Sequence, residues 1–258
     1  MKILKCFVVN NDCYKYNVNK ADSRYTAFQN KGARGLMLHS VGCNQPNAQV
    51  FAKAWNKSGI NVAVHAVLQA DGIVYQCLPW NFRGWHGGGS ANNTHIGVEM
   101  TEPDCITYTG GSSFTCSDSN KAKAQVEGTY KTAVELFAYL CKEYGLDPMT
   151  DIISHKEGYT KGVASNHGDP EHLWRQLKTG YTMDTFRKAV KEAMTGASAY
   201  LVKITASVLN VRKGAGTNYK IVTTVKKDDV YTIVDEVNGW GKLKSGAGWI
   251  KLSYTTRV

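Results

Sequence analysis

The stretch Thr195-Gly196-Ala197-Ser198-Ala199 divides the chain into two parts whose apolar residues repeat with different periods. Before it, Met183, Phe186, Val190 and Met194 recur at spacings of three and four behind Thr182, a candidate N-cap, which is the pattern of an amphipathic helix. After it the apolar runs are short and broken by turn residues: Val208 to Arg212, Ile221 to Val225, Val230 to Val234, Trp240 to Leu243, and Trp249-Ile250 behind Gly246-Ala247-Gly248. Short strands at this density predict a small all-β barrel. The expected organisation is therefore a domain over 1–194, a linker over 195–199 and a second domain over 200–258.

The larger part alternates strand and helix patterns. Strands are expected over 35–40, 62–69, 73–76, 95–100 and 151–154, with Asp71-Gly72 as a hairpin turn between the second and third. A helix is expected over 46–57, with Val50, Phe51, Ala54 and Trp55 on one face. A longer one is expected over 121–144, with an apolar stripe of Val126, Tyr130, Val134, Phe137, Cys141 and Tyr144 and a stop at Gly145. This order predicts an α/β domain, a mixed central sheet flanked by helices.

The net charge of +10 draws the chain toward polyanions, of which nucleic acid and an anionic bacterial cell wall are the two candidates. A dense Lys/Arg cluster, a Cys/His finger spacing and a ribonucleoprotein aromatic motif are all missing, so nucleic acid is not the expected partner. No run of about 18 apolar residues occurs, so no membrane span is expected. Lys5 interrupts the apolar N-terminal stretch and no small-residue cleavage site follows it. Synthesis in the cytoplasm without a signal peptide is expected, with release supplied by another agent. The seven cysteines, at 6, 13, 43, 77, 105, 116 and 141, include no C-x-x-C pair and are expected as free thiols, although Cys105 and Cys116 flank a Gly/Ser/Thr-rich loop that could be cross-linked after export.

All seven histidines, at 39, 65, 86, 95, 155, 167 and 172, precede the small-residue stretch. His39 and His155 end predicted strands, where side chains project into clefts. Neutral imidazole is the commonest zinc ligand, and a carboxylate such as Asp169 completes a three-ligand set with a fourth position left for water. The chain has no H-E-x-x-H, so the ligands must come from distant segments, and spacing alone selects no one triad.

Six segments occur in a telling order: Gly35-Leu36-Met37-Leu38-His39-Ser40, Val64-His65-Ala66-Val67-Leu68-Gln69-Ala70-Asp71-Gly72, Gly84-Trp85-His86-Gly87-Gly88, His95-Ile96-Gly97-Val98-Glu99, Ser154-His155-Lys156-Glu157 and Asn166-His167-Gly168-Asp169-Pro170. Over roughly 30–178 this series resembles the type 2 N-acetylmuramoyl-L-alanine amidases, relatives of the peptidoglycan recognition proteins. Gly162 to Asp169 looks like their Gram-positive, clostridial and phage-lysin branch. The resemblance implies Zn2+ held by His39, His155 and Asp169. It puts Glu99 on the family's catalytic carboxylate, which orients and deprotonates the attacking water and hands the proton to the leaving amine. His167 stands where many relatives carry a Lys that holds the developing oxyanion, and it is also the rival of Asp169 as third ligand. Val64 replaces a tyrosine that some relatives use, which favours the Glu99 variant. His65, Trp85 and His86 match positions near the cleft, with Trp85 and His86 expected on substrate.

The tail resembles a bacterial SH3 (SH3b) domain over about 200–256, through Leu209-Asn210-Val211-Arg212-Lys213-Gly214, Asn238-Gly239-Trp240 and Gly248-Trp249-Ile250. Ten Lys/Arg against four Asp/Glu give this tail a net charge of +6. The family implies wall binding. Together the two resemblances imply a peptidoglycan hydrolase, a phage or prophage endolysin that cuts the amide between N-acetylmuramic acid and L-alanine in Gram-positive walls. The alternatives are an autolysin of the same activity, a zinc peptidase cutting the stem peptide, and a non-catalytic recognition protein, against which the presence of Asp169 argues.

Overall fold

The computed structural model describes residues 1–194 and 199–258, so the expected linker lies, apart from Ala199, outside the described residues. The chain divides into two compact units, Met1–Val190 and Lys191–Val258.

The first unit is built on a six-stranded mixed sheet. Its strands are β1 (Lys2–Lys5), β2 (Gly35–Ser40), β3 (Ala66–Leu68), β4 (Ile73–Gln76), β5 (His95–Met100) and, after an intervening hairpin of β6 (Ile106–Gly110) and β7 (Ser113–Cys116), β8 (Ile152–Ser154). The spatial order is β1-β4-β3-β5-β2-β8. The four strands β3, β5, β2 and β8 run parallel, and β4 turns back antiparallel to β3 through the Asp71-Gly72 turn. Every residue of β2 is buried, as expected of a central parallel strand covered on both faces. The strand expected over 62–69 is only three residues long. Its first half leaves the sheet, because Ala63 instead bridges Trp85.

Among the described residues, eight α-helices accompany the sheet: α1 (Asp12–Val18), α2 (Ser23–Lys31), α3 (Ala48–Trp55), α4 (Ser119–Tyr144), α5 (Pro148–Asp151), α6 (His155–Thr160), α7 (Glu171–Gln176) and α8 (Met183–Met194). The face of α3 that packs inward is Ala48, Phe51, Ala52 and Trp55, while Val50 and Ala54 are exposed. The expected stripe was thus rotated, because small alanines approach the sheet more closely than Val50 could. On α4 the buried stripe is wider than expected and takes in Thr129, Ala133, Leu136 and Leu140. Asp118 caps its start through the N–H of Lys121, and Gly145 ends it in the left-handed conformation. An aromatic cluster fixes the last helices to α4: Tyr130 stacks on Tyr181 at 3.9 Å and meets Trp174 at 5.8 Å, and Phe137 meets Phe186 at 5.2 Å. Thr182 caps α8 through the N–H of Thr185. No described helix is long and apolar enough to cross a membrane.

The second unit is a seven-stranded sheet of β9 (Tyr200–Ile204), β10 (Val208–Arg212), β11 (Ile221–Lys226), β12 (Val230–Val237), β13 (Trp240–Leu243), β14 (Trp249–Lys251) and β15 (Thr255–Arg257). Its order is β11-β10-β14-β13-β12-β9-β15. Val202, Ile204, Leu209, Val211, Val225, Ile233, Leu243 and Ile250, drawn from six strands, form one core. A flat sheet of seven strands is about 29 Å wide, too wide for one cluster, so the sheet folds on itself. Two strands exceed the five expected. β9 carries its signal in the alternation of Val202 and Ile204, whereas β15 has no apolar pattern and exists through pairing with β9. All seven cysteines are free thiols.

Candidate metal centre and active site

The register of the parallel strands assembles the site. Leu38 of β2 pairs with Ser154 of β8, so His39 and His155 leave the sheet side by side, one residue later. Ser154 ends β8 and caps α6 in a reciprocal capping box with Glu157, which turns the chain sharply at His155. On the other side of β2, His39 pairs directly with Glu99 of β5. Aligned residues of neighbouring strands share a face, so His39 and Glu99 stand together at the carboxyl ends of the strands, where α/β sheets carry their ligands.

Three donor atoms converge there. His39 Nδ1 lies 3.0 Å from His155 Nδ1 and 3.3 Å from Asp169 Oδ2, and His155 Nδ1 lies 3.5 Å from Asp169 Oδ1. The donor atoms of the three buried residues fall within 4.8 Å of one another. The backbone N–H of Ser40 donates to Asp169 Oδ2 at 3.3 Å. Burial pushes the Asp169 carboxyl up, but the facing His155 and His39 outweigh it and hold it well below the usual carboxylate range. His167 is outside this set: it is exposed, its ring lies 4.3 Å from that of His155, and its Nδ1 is 3.1 Å from Ser165 Oγ.

Hydrogen bonding fixes the tautomers. His86 Nε2 faces the carbonyl oxygen of His95 at 3.1 Å, and a carbonyl only accepts, so this nitrogen carries the proton. His86 Nδ1 must then accept from His39 Nε2–H, 3.0 Å away, which leaves a lone pair on His39 Nδ1. With the Ser165 hydroxyl donating to His167 Nδ1 at 3.1 Å, Ser165 Oγ accepts from His155 Nε2–H at 3.2 Å and leaves His155 Nδ1 bare as well. Two lone pairs 3.0 Å apart beside a buried carboxylate repel unless a cation lies between them. The donor set of two imidazoles and one carboxylate, with outer nitrogens anchored, fits zinc.

Glu99 lines the adjoining cavity and has a buried Oε2 with no hydrogen-bond partner among the described residues. Burial lifts its carboxyl well above the usual range, and the charges of Asp169 and Glu102 add to this. The cavity, of about 660 Å³, is lined by Trp55, Val64 and Trp85, by Tyr108 and Ser112 of the β6–β7 hairpin, and by His86 and His167. Arg83, itself buried, backs the exposed Trp85 at 5.3 Å from its ring centre.

His65, expected near substrate, is fully enclosed and does not line the cavity. Its Nε2–H donates to Phe82 O at 2.7 Å and its Nδ1 accepts from Gly97 N–H at 3.0 Å, so it ties two backbone segments together beneath His86. Ser165, Glu102, Tyr108 and His172 belong to the surroundings of the site and were not anticipated. The last two are brought in by the hairpin and by α7, neither of which was among the expected elements.

Fold and site define the class, a mixed α/β domain with a candidate single-metal centre at its strand ends. The profile of the N-acetylmuramoyl-L-alanine amidase family matches residues 29–172, and the chain belongs to this family. A bacterial SH3 domain profile matches residues 207–256. Among solved structures, a mutant of PlyL is similar at 18% identity with a TM-score of 0.50, covering 74% of this chain and 99% of that one. The Staphylococcus aureus hydrolase AmiA, in complex with its ligand, is similar at 17% identity with a TM-score of 0.52, covering 75% and 83%. At these identities the likeness is one of fold. No curated protein sequence gives a significant match.

Proposed function

We propose that the chain hydrolyses the amide between the lactyl group of N-acetylmuramic acid and L-alanine, and that it is an endolysin of phage or prophage origin acting on Gram-positive walls. The observation that carries the reading is the convergence of His39, His155 and Asp169 beside the partnerless carboxylate oxygen of Glu99 in one cleft. Zinc held by these three residues would supply Lewis-acid polarisation of the scissile carbonyl and a lowered pKa for the attacking water. Glu99 takes the proton from that water and delivers it to the departing amine. Its raised proton affinity suits both halves of this transfer. His167, exposed on the cavity wall, donates an N–H to the developing oxyanion. Trp85 offers an exposed indole face for a sugar ring, and His86 lines the cleft while holding the tautomer of His39. His65 acts only through the backbone that it ties. The SH3 domain, at a net charge of +6, holds the enzyme on the anionic wall.

The test is digestion of purified walls with and without a chelator, followed by mass spectrometry. Release of stem peptides beginning at L-alanine from uncut glycan, lost with chelator and restored by zinc, is expected. Cleavage within the stem peptide would replace the reading with a peptidase, and binding without cleavage would replace it with a recognition protein.

A further inference from the structure

Next to the candidate metal centre lies a second buried set of groups. The three segments that supply His39, Glu99 and Asp169 each supply another residue three positions later: Gly42, Glu102 and His172. These are joined to one another. The N–H of Gly42 donates to Glu102 Oε1 at 3.1 Å. The hydroxyl of Tyr108 donates to Glu102 Oε2 at 2.6 Å. With its one proton so used, Tyr108 Oη accepts from His172 Nε2–H at 2.7 Å.

Glu102 is fully buried and His172 nearly so. The other ring nitrogen of His172 has no partner among the described residues, so the link to Tyr108 is the hydrogen bond that orients this ring. Tyr108 itself comes from the hairpin and lines the cleft. It is the only one of the four to come from outside the three site-bearing segments.

We propose that Tyr108 is a positioning residue for the metal centre, acting through Glu102 and His172 to lock the ends of β2 and β5 and the start of α7 at fixed separations. The inference rests on the metal-site reading given above. A buried, fully directed hydrogen-bond bridge of this kind restrains the donors without touching them, and residues in that position commonly change metal affinity or activity about 10–100-fold. The hairpin has an independent attachment: Gln176 Nε2 donates to Ser112 O at 2.7 Å and Gln176 Oε1 accepts from Phe114 N–H at 3.1 Å. The phenyl ring of Tyr108 also packs on Phe114 at 5.8 Å. Tyr108→Phe therefore removes the bridge and leaves the hairpin docked.

The experiment measures zinc affinity of the full chain by competition with a chromophoric chelator, together with kcat and KM on soluble wall fragments. Tyr108→Phe is expected to weaken zinc binding and lower kcat about 10–100-fold with KM nearly unchanged. Glu102→Gln, which keeps the shape but has one acceptor oxygen for the two donors Gly42 N–H and Tyr108 Oη–H, carries the same expectation if Tyr108→Phe does not fold. Gln176→Ala is expected to leave zinc affinity within about threefold of the parent. Parent-like zinc affinity and kcat in a folded Tyr108→Phe chain would overturn the inference alone. So would an equal loss in Gln176→Ala, which would reduce Tyr108 to hairpin packing. A parent chain that binds no zinc would overturn the metal-site reading, and this inference with it.

Discussion

His86 accepts a hydrogen bond from His39 across 3.0 Å and passes its own proton toward the carbonyl of His95, so one backbone oxygen sets the tautomer of a residue two side chains away. His86→Ala removes the acceptor and lets either nitrogen of His39 carry the proton. Zinc affinity, measured by chelator competition at pH 7, is expected to fall about 10–100-fold. Parent-like affinity would show that the relay does no orienting.

Glu99→Gln keeps the volume at the strand end but has no basic oxygen for the proton. Turnover of wall fragments is expected to fall by about 10²–10⁴-fold with zinc still bound. Turnover near that of the parent, in a zinc-loaded variant, would remove Glu99 from the reaction.

His65 makes stability depend on pH. Burial pushes its imidazole down to about 4, although the bonds to Phe82 and Gly97 work the other way. In the unfolded chain the group titrates near 6.5, so between these values the unfolded state binds the extra proton. The stability held by neutral His65 is complete above about pH 6.5 and declines as pH falls toward about 4, by about 3 kcal/mol in all. Urea unfolding at pH 7.5, 5.5 and 4.5 should show the gap between the parent and His65→Gln narrowing with acid. A constant gap would assign the acid sensitivity elsewhere.

A side chain at Gly97 has no room. A Cβ there falls 2.4 Å from the ring of His86, which is held on its other sides by His39 and by the His95 carbonyl. Gly97→Ala is expected to cost about 1–3 kcal/mol and much less when made in a His86→Ala chain. Equal costs in the two backgrounds would mean that the strain lies in the strand and not against the ring.

Much of this arrangement was legible in the sequence because it lies on strongly patterned elements. β2, β4, β5, β10 and β13 carry unbroken or alternating apolar runs, and their bounds match those expected. His39 and Glu99 could be found as the polar residues at the ends of such runs. The face of α3 was misread because alanine sits as readily inside as outside, and valine at position 50 suggested the wrong stripe. The hairpin of β6 and β7 alternates Ile106, Tyr108, Phe114 and Cys116 with polar residues, but its strands are short and its contacts with α7 are ones that no local pattern reveals. For the same reason Tyr108, Glu102 and His172 went unseen, since each is defined by a partner far away in sequence. His65 was expected near the cleft from the family resemblance, whereas its burial depends on a backbone turn at Phe82.

β8 is three residues long, lies at the margin of the sheet and pairs with β2 alone. An ion shared by His39 and His155 would therefore act as a cross-link between residues 116 positions apart, clamping the strand least able to hold itself. Because the donors come together only in the folded chain, binding there shifts the balance toward that state by mass action. In this domain the ion would be a structural fastener as much as a reagent, and its loss would fray the sheet from the edge where the site begins.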